Sequence, residues 1–381
     1  MAYSDIKDPS AHFQTVLWTG NGSRPVSITG VGFQPDMVWA KNRTNNYNHV
    51  VYDSSRGAGQ YKEITPNQLY EEGGNNAHTY GYLSSFDSDG FSSTDSNYNA
   101  YFNENGNAFV SWNWKANGGT TTSVSASGTG ANCINASTHQ VNQDAGCSII
   151  TYTGRADQIT VHQQTNLTHG LGVTPDLTIM KKIDGNGDWV VMGKHITTSS
   201  AYSANEHLHL NTTDAISNAE YTGYVAPTST YIYLGDALVN DTGANYVCYA
   251  FAEKQGYSKF GKYVGNGNTN GTFVYTGFKP AWVMMKRTDS ADNWAIFDNK
   301  RSDSSGFNVI NRHLRADSND AEKDLFSYVG GPPIPQIDIL SNGFKQRGSN
   351  GLLNASGGTY IYMAFAENPF VTSTGTPTTA R

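Results

Sequence analysis

Short apolar runs separated by polar turns follow one another along the whole chain. Three of these runs begin one or two residues after a proline, at residues 36–41, 177–181 and 281–286. Proline cannot donate to a β-ladder and suits the first position of a strand, so each run predicts a strand. A polar turn and a second apolar run follow, at residues 49–53, 189–193 and 294–298. The pattern therefore predicts three β-hairpins.

The residues around these hairpins recur three times. Each copy has a turn that leads into proline, at Gly32-Phe33-Gln34-Pro35, Gly172-Val173-Thr174-Pro175 and Gly277-Phe278-Lys279-Pro280. A lysine stands six residues after each proline, at Lys41, Lys181 and Lys286. Each copy closes with an aromatic strand, at residues 108–115, 245–253 and 359–367. Because an internal repeat determines the architecture, we expect a tandem array of one domain type.

Turn chemistry predicts the fold class. Asp89-Gly90 and Asn342-Gly343 are dipeptides typical of tight hairpin connections. Many short strands with frequent turns predict an all-β chain, a tandem array of three related antiparallel β-sandwich domains that are jelly-roll-like. The expected boundaries are 1–115 for repeat one with an N-terminal arm, 116–147 for a Gly/Ser/Thr-rich linker or extended arm, 148–255 for repeat two, 256–370 for repeat three and 371–381 for a tail.

Composition narrows the possible partners. The formal net charge is -7, and no basic run interrupts the acidic balance. Nucleic-acid binding needs a concentrated positive surface, so we expect no nucleic-acid partner. The N-terminus lacks the charged and apolar segments of a secretory signal, and no apolar stretch approaches the ~18 residues of a membrane span. We therefore expect a soluble chain that does not insert into a membrane.

Several short motifs are compatible with metal binding. Residues 87–90 and 184–188 place acidic and amide oxygens at alternate positions, as a calcium loop does. Repeat three keeps the turn at 341–343 without the charge, which favours a plain turn. His207-Leu208-His209 would place two imidazoles on one face of a strand, but no third ligand stands nearby. We predict no metal and no cofactor.

Two further local motifs admit a structural interpretation. Asp53 precedes Arg56, and Asp298 precedes Arg301, directly after the second strand of each hairpin. A local ion pair that orders the loop is the simpler explanation, and a ligand-binding pair is the alternative. Cys133 and Cys147 flank an irregular segment and could pair, although a cytoplasmic product would normally keep them reduced.

Tyrosines in the polar insertions of repeat one are the best candidates for a binding surface. A tyrosine ring can stack on the face of a sugar while neighbouring amides bind hydroxyls. Most aromatic residues recur at equivalent positions of the repeat, which indicates core packing. The exceptions, which we expect to be exposed, are Tyr47, Tyr70, Tyr80, Tyr98 and Tyr101. No catalytic set stands out in the sequence, so we predict that the protein is not an enzyme.

Four long segments carry a resemblance to a known family. Residues 8–15, 32–43, 256–267 and 354–370 resemble a family of virion proteins from tailed bacteriophages, especially marine ones. The resemblance covers essentially the whole chain and implies a structural component of the particle, often labelled tail fibre. It implies no catalytic or binding residues. The Gly/Ser/Thr-rich segment and the details of repeat two depart most from the family pattern.

The resemblance gives the functional expectation. We expect a virion protein, made in the host cytoplasm, that acts as a tail-fibre or receptor-binding component in contact with the host surface. The main alternative is a capsid decoration or cement protein, and a glycan-degrading enzyme is a third class. The expected partners are other virion proteins of the tail or capsid, copies of the chain itself in a homotrimer, and a host-surface glycan. Abundant aromatic residues with little charge favour such association.

Overall fold

The computed structural model describes residues 4–94, 98–130, 132–158, 163–197, 206–218, 225–235, 237–301, 309–324, 336–371 and 374–378. Strands make up 43% of the chain and helices 4%. Strand pairing within the described sheets is antiparallel. The predicted all-β fold is therefore confirmed.

The described residues of repeat one form seven strands and one short helix. A 3-10 turn at Pro9–Ala11 precedes them. The elements are β1 (Phe13–Thr19), β2 (Val26–Thr29), β3 (Met37–Asn42), β4 (Val50–Asp53), α1 (Ala77–Tyr80), β5 (Tyr82–Asp87), β6 (Gly90–Thr94) and β7 (Ala108–Trp114).

Residues 116–147, the predicted linker or extended arm, contribute two strands to a sheet. They form β8 (Thr122–Val124) and β9 (Ser137–Asn142). Strand β9 pairs with the first strand of repeat two, and β8 pairs with β9, so the two strands extend that sheet. We call residues 116–146 the insert.

Repeat two follows directly. It contains a 3-10 turn at Ala156–Gln158. The elements are β10 (Cys147–Thr153), β11 (Thr165–Thr168), β12 (Leu177–Lys182), β13 (Trp189–Gly193), β14 (Glu206–His209), β15 (Ser217–Asn218), β16 (Tyr231–Leu234), α2 (Ala237–Asn240) and β17 (Asn245–Phe251).

Repeat three is built from strands. They are β18 (Ser258–Val264), β19 (Phe273–Tyr275), β20 (Phe278–Arg287), β21 (Ala295–Asp298), β22 (Val309–Ile310), β23 (Arg312–Arg315), β24 (Lys323–Asp324), β25 (Ile337–Leu340), β26 (Gly343–Gln346) and β27 (Thr359–Pro369).

The three repeats share one strand order. The larger sheet contains β1-β7-β3-β4 in repeat one, β10-β17-β12-β13 in repeat two and β18-β27-β20-β21 in repeat three. A smaller sheet accompanies each: β2-β6-β5, β11-β16 and β19-β26-β25-β22. The turn before each repeat proline depends on glycine, because Gly32, Gly172 and Gly277 have φ of 82°, 73° and 83°.

Two kinds of core explain why the strand after each proline is apolar at successive positions. All six residues of β3 are buried. Val38 and Ala40 pack within repeat one against its smaller sheet. Met37 and Trp39 point the other way, into a core shared by all three repeats. Since the repeats share this core, their division into separate sandwich domains stays a prediction.

Hydrogen bonds link the repeats in a cycle. The N–H of Glu72 donates to Ile183 O at 3.0 Å, the N–H of Ile216 to Thr288 O at 2.9 Å, and the N–H of Glu322 to Arg43 O at 2.9 Å. The three acceptors each stand eight residues after a repeat proline. Repeat one thus contacts repeat two, repeat two contacts repeat three, and repeat three contacts repeat one.

A second set of equivalent contacts follows the same cycle. The indole N–H of Trp189 donates to Thr65 O at 2.9 Å, and that of Trp294 donates to His209 O at 2.8 Å. His49 stands at the equivalent position of repeat one, and its Nε2 lies 3.0 Å from Arg315 O. The chain therefore has an approximate threefold arrangement of its own repeats.

The repeated lysine belongs to this framework. Lys181 Nζ donates to Leu69 O in repeat one at 3.2 Å, and Lys286 Nζ donates to Thr213 O in repeat two at 3.1 Å. Burial lowers the pKa of Lys41 to about 7 and the pKa of Lys181 and Lys286 to about 8. These lysines supply buried donors for loop carbonyls rather than surface charge.

Candidate functional site

Four of the five predicted tyrosines come together on repeat one. Tyr47 lies in the loop between β3 and β4, and Tyr80 is the last residue of α1. Tyr98 and Tyr101 lie between β6 and β7. We call these four residues the tyrosine cluster.

Tyr80 is the centre of the tyrosine cluster. Its ring centroid is 6.3 Å from that of Tyr98, with the planes 26° apart, and 5.7 Å from that of Tyr101. The Tyr47 centroid lies 6.3 Å from Tyr80 and 6.1 Å from Tyr101. These distances are within the range of favourable aromatic contacts, so the four rings support one another.

Backbone hydrogen bonds hold the loop of Tyr98 and Tyr101 against α1. The N–H of Tyr98 donates to Thr79 O at 3.1 Å, and the N–H of Tyr101 donates to Tyr80 O at 2.9 Å. Asn76, the residue before α1, has a left-handed backbone with φ 57°. Asparagine tolerates this conformation better than most residues, which suits it to the tight entry into a single helical turn.

Exposure falls steeply across the tyrosine cluster. Tyr98 is 59% exposed, Tyr47 and Tyr80 are half-buried, and Tyr101 is 3% exposed. The expected exposure of Tyr101 is therefore wrong, because its ring packs into the core of repeat one and its hydroxyl donates to Asn75 O at 3.2 Å. Tyr98 is the ring whose face is most available to a ligand.

The phenols of Tyr47 and Tyr101 remain protonated at neutral pH, because the pKa of each is raised. Burial raises the pKa of Tyr47, and Glu104 and Tyr80 raise it further. Burial, Glu63 and Tyr80 likewise raise the pKa of Tyr101. A neutral phenol both donates and accepts hydrogen bonds.

Amides and one carboxylate lie beside the rings. Glu104 Oε2 accepts from Asn107 Nδ2 at 2.5 Å and from Asn45 Nδ2 at 3.3 Å. Asn99, between the two loop tyrosines, is buried, and neither its Oδ1 nor its Nδ2 has a hydrogen-bond partner within the described part of the chain. Sequence reasoning singled out neither Glu104 nor Asn99, since spacing along the chain gives no sign that Glu104 lies close enough to raise the pKa of Tyr47 or that the Asn99 amide is buried.

Tyr70 lies apart from the cluster. It is exposed and follows Leu69, whose carbonyl accepts from Lys181 and from Gly187 N of repeat two. Tyr70 therefore stands near the contact between repeats one and two. Tyr61, which the sequence did not single out, is exposed and has its ring centroid 5.9 Å from that of His78 in α1.

The acidic turns have structural partners. Asp89 accepts from Gly30 N at 3.2 Å and Gly32 N at 2.6 Å, and so fixes the turn before the first repeat proline. Asp184 accepts from Asn245 N at 2.7 Å, and Asp188 accepts from Asn211 Nδ2 at 2.8 Å. The carboxylates thus order loops in both segments.

The Asp–Arg motifs and His207 are buried, whereas His209 is half-buried. The rings of His207 and His209 are 5.0 Å apart. Asp53 pairs with Arg56 at 2.6 Å and Asp298 with Arg301 at 2.5 Å, and both ion pairs are buried. The pairs lie at contacts between repeats, where they are inaccessible to a large ligand.

Across the described ranges, no three His, Cys, Asp or Glu side chains lie close enough together to hold a metal ion. Cys133, Cys147 and Cys248 are free and buried. Burial raises the pKa of Cys147 and Cys248, which keeps both thiols protonated. The described helices are all too short to cross a membrane.

Comparison with known proteins gives a family but no activity. No curated protein and no solved structure matches the chain. The model of one family, described as a domain of unknown function (DUF7483), matches residues 8–369. The protein therefore belongs to the DUF7483 family.

Proposed function

We propose that the protein is a non-catalytic structural component of a tailed-phage particle, a tail-fibre or receptor-binding protein that contacts a host-surface glycan through the tyrosine cluster. The resemblance of residues 8–15, 32–43, 256–267 and 354–370 to tailed-phage virion proteins supports the location. One observation carries the binding role: Tyr98 presents an exposed ring that stacks on the half-buried ring of Tyr80.

The chemistry of the cluster suits a sugar. A sugar ring presents a face of C–H groups that packs on an aromatic ring, while its hydroxyls need hydrogen-bond partners. Tyr98 supplies the ring that contacts the sugar. Because the ring of Tyr80 packs against that of Tyr98, the Tyr98 side chain loses little conformational freedom on binding. Tyr47, whose ring contacts that of Tyr80, supplies a phenol, and the hydrogen-bonded side chains of Asn45 and Glu104 supply an amide and a carboxylate.

The capsid decoration role is the second candidate. The cyclic contacts of the three repeats give one chain an approximate threefold body, which suits a threefold position on a particle. In that role Tyr98 would contact a neighbouring virion protein instead of a glycan. Virion localisation is common to both candidates.

Self-association or docking onto other virion chains is part of the proposal. Val264, Phe273 and Tyr275 of repeat three are all exposed. Thr272 Oγ1 donates to Val264 O at 2.8 Å, which brings the end of β18 beside the start of β19. Exposed apolar side chains on neighbouring strand ends favour contact with another chain, and a homotrimer is the form we propose.

Adsorption of purified protein to host cells, with a glycan array as the second readout, tests the glycan role. We expect Tyr98→Ala to reduce binding at least about tenfold, because the open stacking face is lost. Tyr61→Ala is the matched control, since Tyr61 is 56% exposed and lies in repeat one outside the tyrosine cluster. Unchanged adsorption with reduced incorporation of Tyr98→Ala into particles would favour the decoration role.

A further inference from the structure

The first strand of repeat two has a neighbour on each side. β10 pairs with β17 along one edge and with β9 of the insert along the other. In the second pairing Cys147 stands opposite Asn142, and Ile149 stands opposite Gln140. The insert therefore adds a strand to the larger sheet of repeat two.

The equivalent strand of repeat three has an open edge. β18 pairs with β27, and the described part of the chain places no strand on its other side. Tyr257 O accepts from Ala366 N, and Gly265 N donates to Gly358 O, so alternate residues of β18 bond toward β27. The N–H and C=O groups of Phe260 and Lys262 consequently point to the open edge, as those of Ile149 and Thr151 point to β9.

A groove runs along this open edge. It has a volume of about 640 Å³, and its walls come from β18 and from the end of the repeat-two hairpin. The lining residues include Lys194, His195, Lys259, Phe260, Gly261 and Lys262. In repeat two, β9 occupies the equivalent groove, between β10 and the hairpin end of repeat one.

Gln140 shows which side chain such a groove selects. Its Nε2 donates to Ser54 Oγ and to Ser55 Oγ, both at 2.8 Å. Lys194 and His195 occupy the positions equivalent to Ser54 and Ser55, counted from each repeat proline. These two side chains offer N–H donors, so the matching side chain opposite Phe260 should be an acceptor.

The charges around Lys194 support a carboxylate in that position. Asp176 accepts from Glu253 N at 2.7 Å, Asp5 accepts from Gln255 N at 3.2 Å, and Glu253 pairs with Lys259. Lys194 and Lys262 form no ion pair with any described residue. Each acidic group of the groove therefore already has a hydrogen-bond or ion-pair partner within the protein, whereas Lys194 and Lys262 have no ion-pair partner among the described residues.

We propose that the edge of β18 accepts an extended strand from another protein chain, paired antiparallel to β18, with a Glu or Asp opposite Phe260 that contacts Lys194. Strand addition to an open sheet edge gains affinity from main-chain hydrogen bonds and specificity from alternate side chains. The interaction does not depend on the tyrosine cluster, which lies on repeat one. It identifies repeat three as a docking module for a partner with an acidic extended segment.

A peptide with the sequence of β9 can serve as a probe for strand addition to β18. We would label a peptide of residues 136–143 that carries Gln140→Glu, and measure its binding to the full chain by fluorescence anisotropy. The unchanged peptide serves as the comparison. We expect the Glu peptide to bind at least about threefold more tightly than the Gln peptide, the effect of one partly exposed charged pair.

Two protein variants test the geometry. Lys262→Pro removes an N–H that points to the open edge while leaving the bonds to β27, so it should weaken the Glu peptide about tenfold or more relative to Lys262→Ala. Lys194→Glu, an exposed surface change, should reverse the preference and favour the Gln peptide. Thermal unfolding of each variant verifies that the fold is intact.

The alternative outcomes are distinct. Absence of binding to the wild-type chain at millimolar Glu peptide would overturn the proposal. Equal binding of the Glu peptide to Lys262→Pro and Lys262→Ala would show that the peptide does not pair with β18. Persistence of the Glu preference in Lys194→Glu, with the Lys262→Pro effect present, supports strand addition and removes the assignment of the acidic contact to Lys194.

Discussion

The hydroxyl of Tyr249 in repeat two donates a hydrogen bond of 2.7 Å to Asp53 Oδ2 in repeat one, across 196 positions of the chain. Asp53 is also paired with Arg56, and Arg56 with Glu72. The same arrangement recurs between repeats one and three. There the indole N–H of Trp112 donates to Asp298 at 2.9 Å, and Arg301 pairs with both Asp298 and Glu322.

At the remaining contact between repeats, where repeat three meets repeat two, no charged residue stands at the positions of the ion pair. The positions equivalent to Asp, Arg, Glu and the donor ring hold Gly193, Ile196, Ile216 and Met363. Ile196, Ile216 and Met363 belong to the shared core. A buried ion pair and a packed apolar set are comparable in stability, whereas a half-replaced pair leaves an unpaired charge. This difference in cost explains why all four positions at this contact differ from their equivalents at the other two contacts, rather than only some of them.

Tyr249→Phe should destabilise the fold. The substitution keeps the ring and removes only the donor to Asp53 Oδ2, which leaves a buried carboxylate with one partner fewer. We expect the free energy of unfolding to fall by about 1–3 kcal/mol. Urea unfolding followed by tryptophan fluorescence measures the change. Tyr275→Phe, at an exposed ring, is the control and should leave the midpoint unchanged; equal behaviour of the two variants would contradict the role given to Tyr249.

Arg301→Ala should lower the free energy of unfolding more than substitution of any exposed arginine does. Arg301 is buried, and its loss leaves the carboxylates of Asp298 and Glu322 without their main counter-charge. We expect a loss of about 3–5 kcal/mol in the free energy of unfolding. Arg287→Ala breaks the more exposed pair with Asp289 and should cost less than about 1 kcal/mol. A small effect of Arg301→Ala would mean that the charges are solvated.

Local pattern predicted the hairpins closely. The runs expected at residues 49–53, 189–193 and 294–298 match β4, β13 and β21 within one residue at either end. Proline position and turn chemistry act over a few residues, which is why sequence alone was sufficient here. The insert was harder, because its Gly and Ser content gave no sign of which sheet edge it would extend.

The cyclic arrangement and the tyrosine cluster were beyond sequence reasoning. Contacts such as that of Tyr249 with Asp53 join residues far apart along the chain, and their spacing carries no geometric information. Tyr47, Tyr80, Tyr98 and Tyr101 were identified as candidates by their polar surroundings. Only folding shows that these four meet, that Tyr101 becomes buried and that Tyr70 lies elsewhere.

The buried, neutral side chain of His169 predicts that the fold is less stable at acid pH. Its Nδ1 accepts from Leu171 N at 3.2 Å, so Nε2 carries the proton and donates to Thr228 O at 3.2 Å. Burial lowers the pKa of His169 to about 4, against the opposing effect of the Thr228 carbonyl. Between pH 6.5 and about 4 the unfolded chain binds a proton that the folded chain does not. Stability should therefore fall as the pH decreases through this range.

His169→Asn should reduce the loss of stability that accompanies a decrease in pH. Asparagine offers an oxygen to Leu171 N but takes up no proton. From pH 7 to pH 5, the wild-type free energy of unfolding should fall by about 2 kcal/mol more than that of the variant. Urea unfolding at both pH values measures the difference, and a series above pH 7 is the internal control, where the two slopes should agree. Parallel curves below pH 6.5 would show that His169 is protonated in the folded state.

Tyr101→Ala should destabilise the fold much more than Tyr98→Ala. Tyr101→Ala removes a ring from the core of repeat one together with the hydrogen bond to Asn75 O, and should cost about 3–5 kcal/mol. Tyr98→Ala removes an exposed ring and should change the free energy of unfolding by less than about 1 kcal/mol. Urea midpoints with an unchanged dependence on denaturant measure both. A large loss in the free energy of unfolding of Tyr98→Ala would mean that Tyr98 belongs to the core, and would remove the basis for its proposed contact with a glycan. Reduced adsorption of such a variant would then result from unfolding.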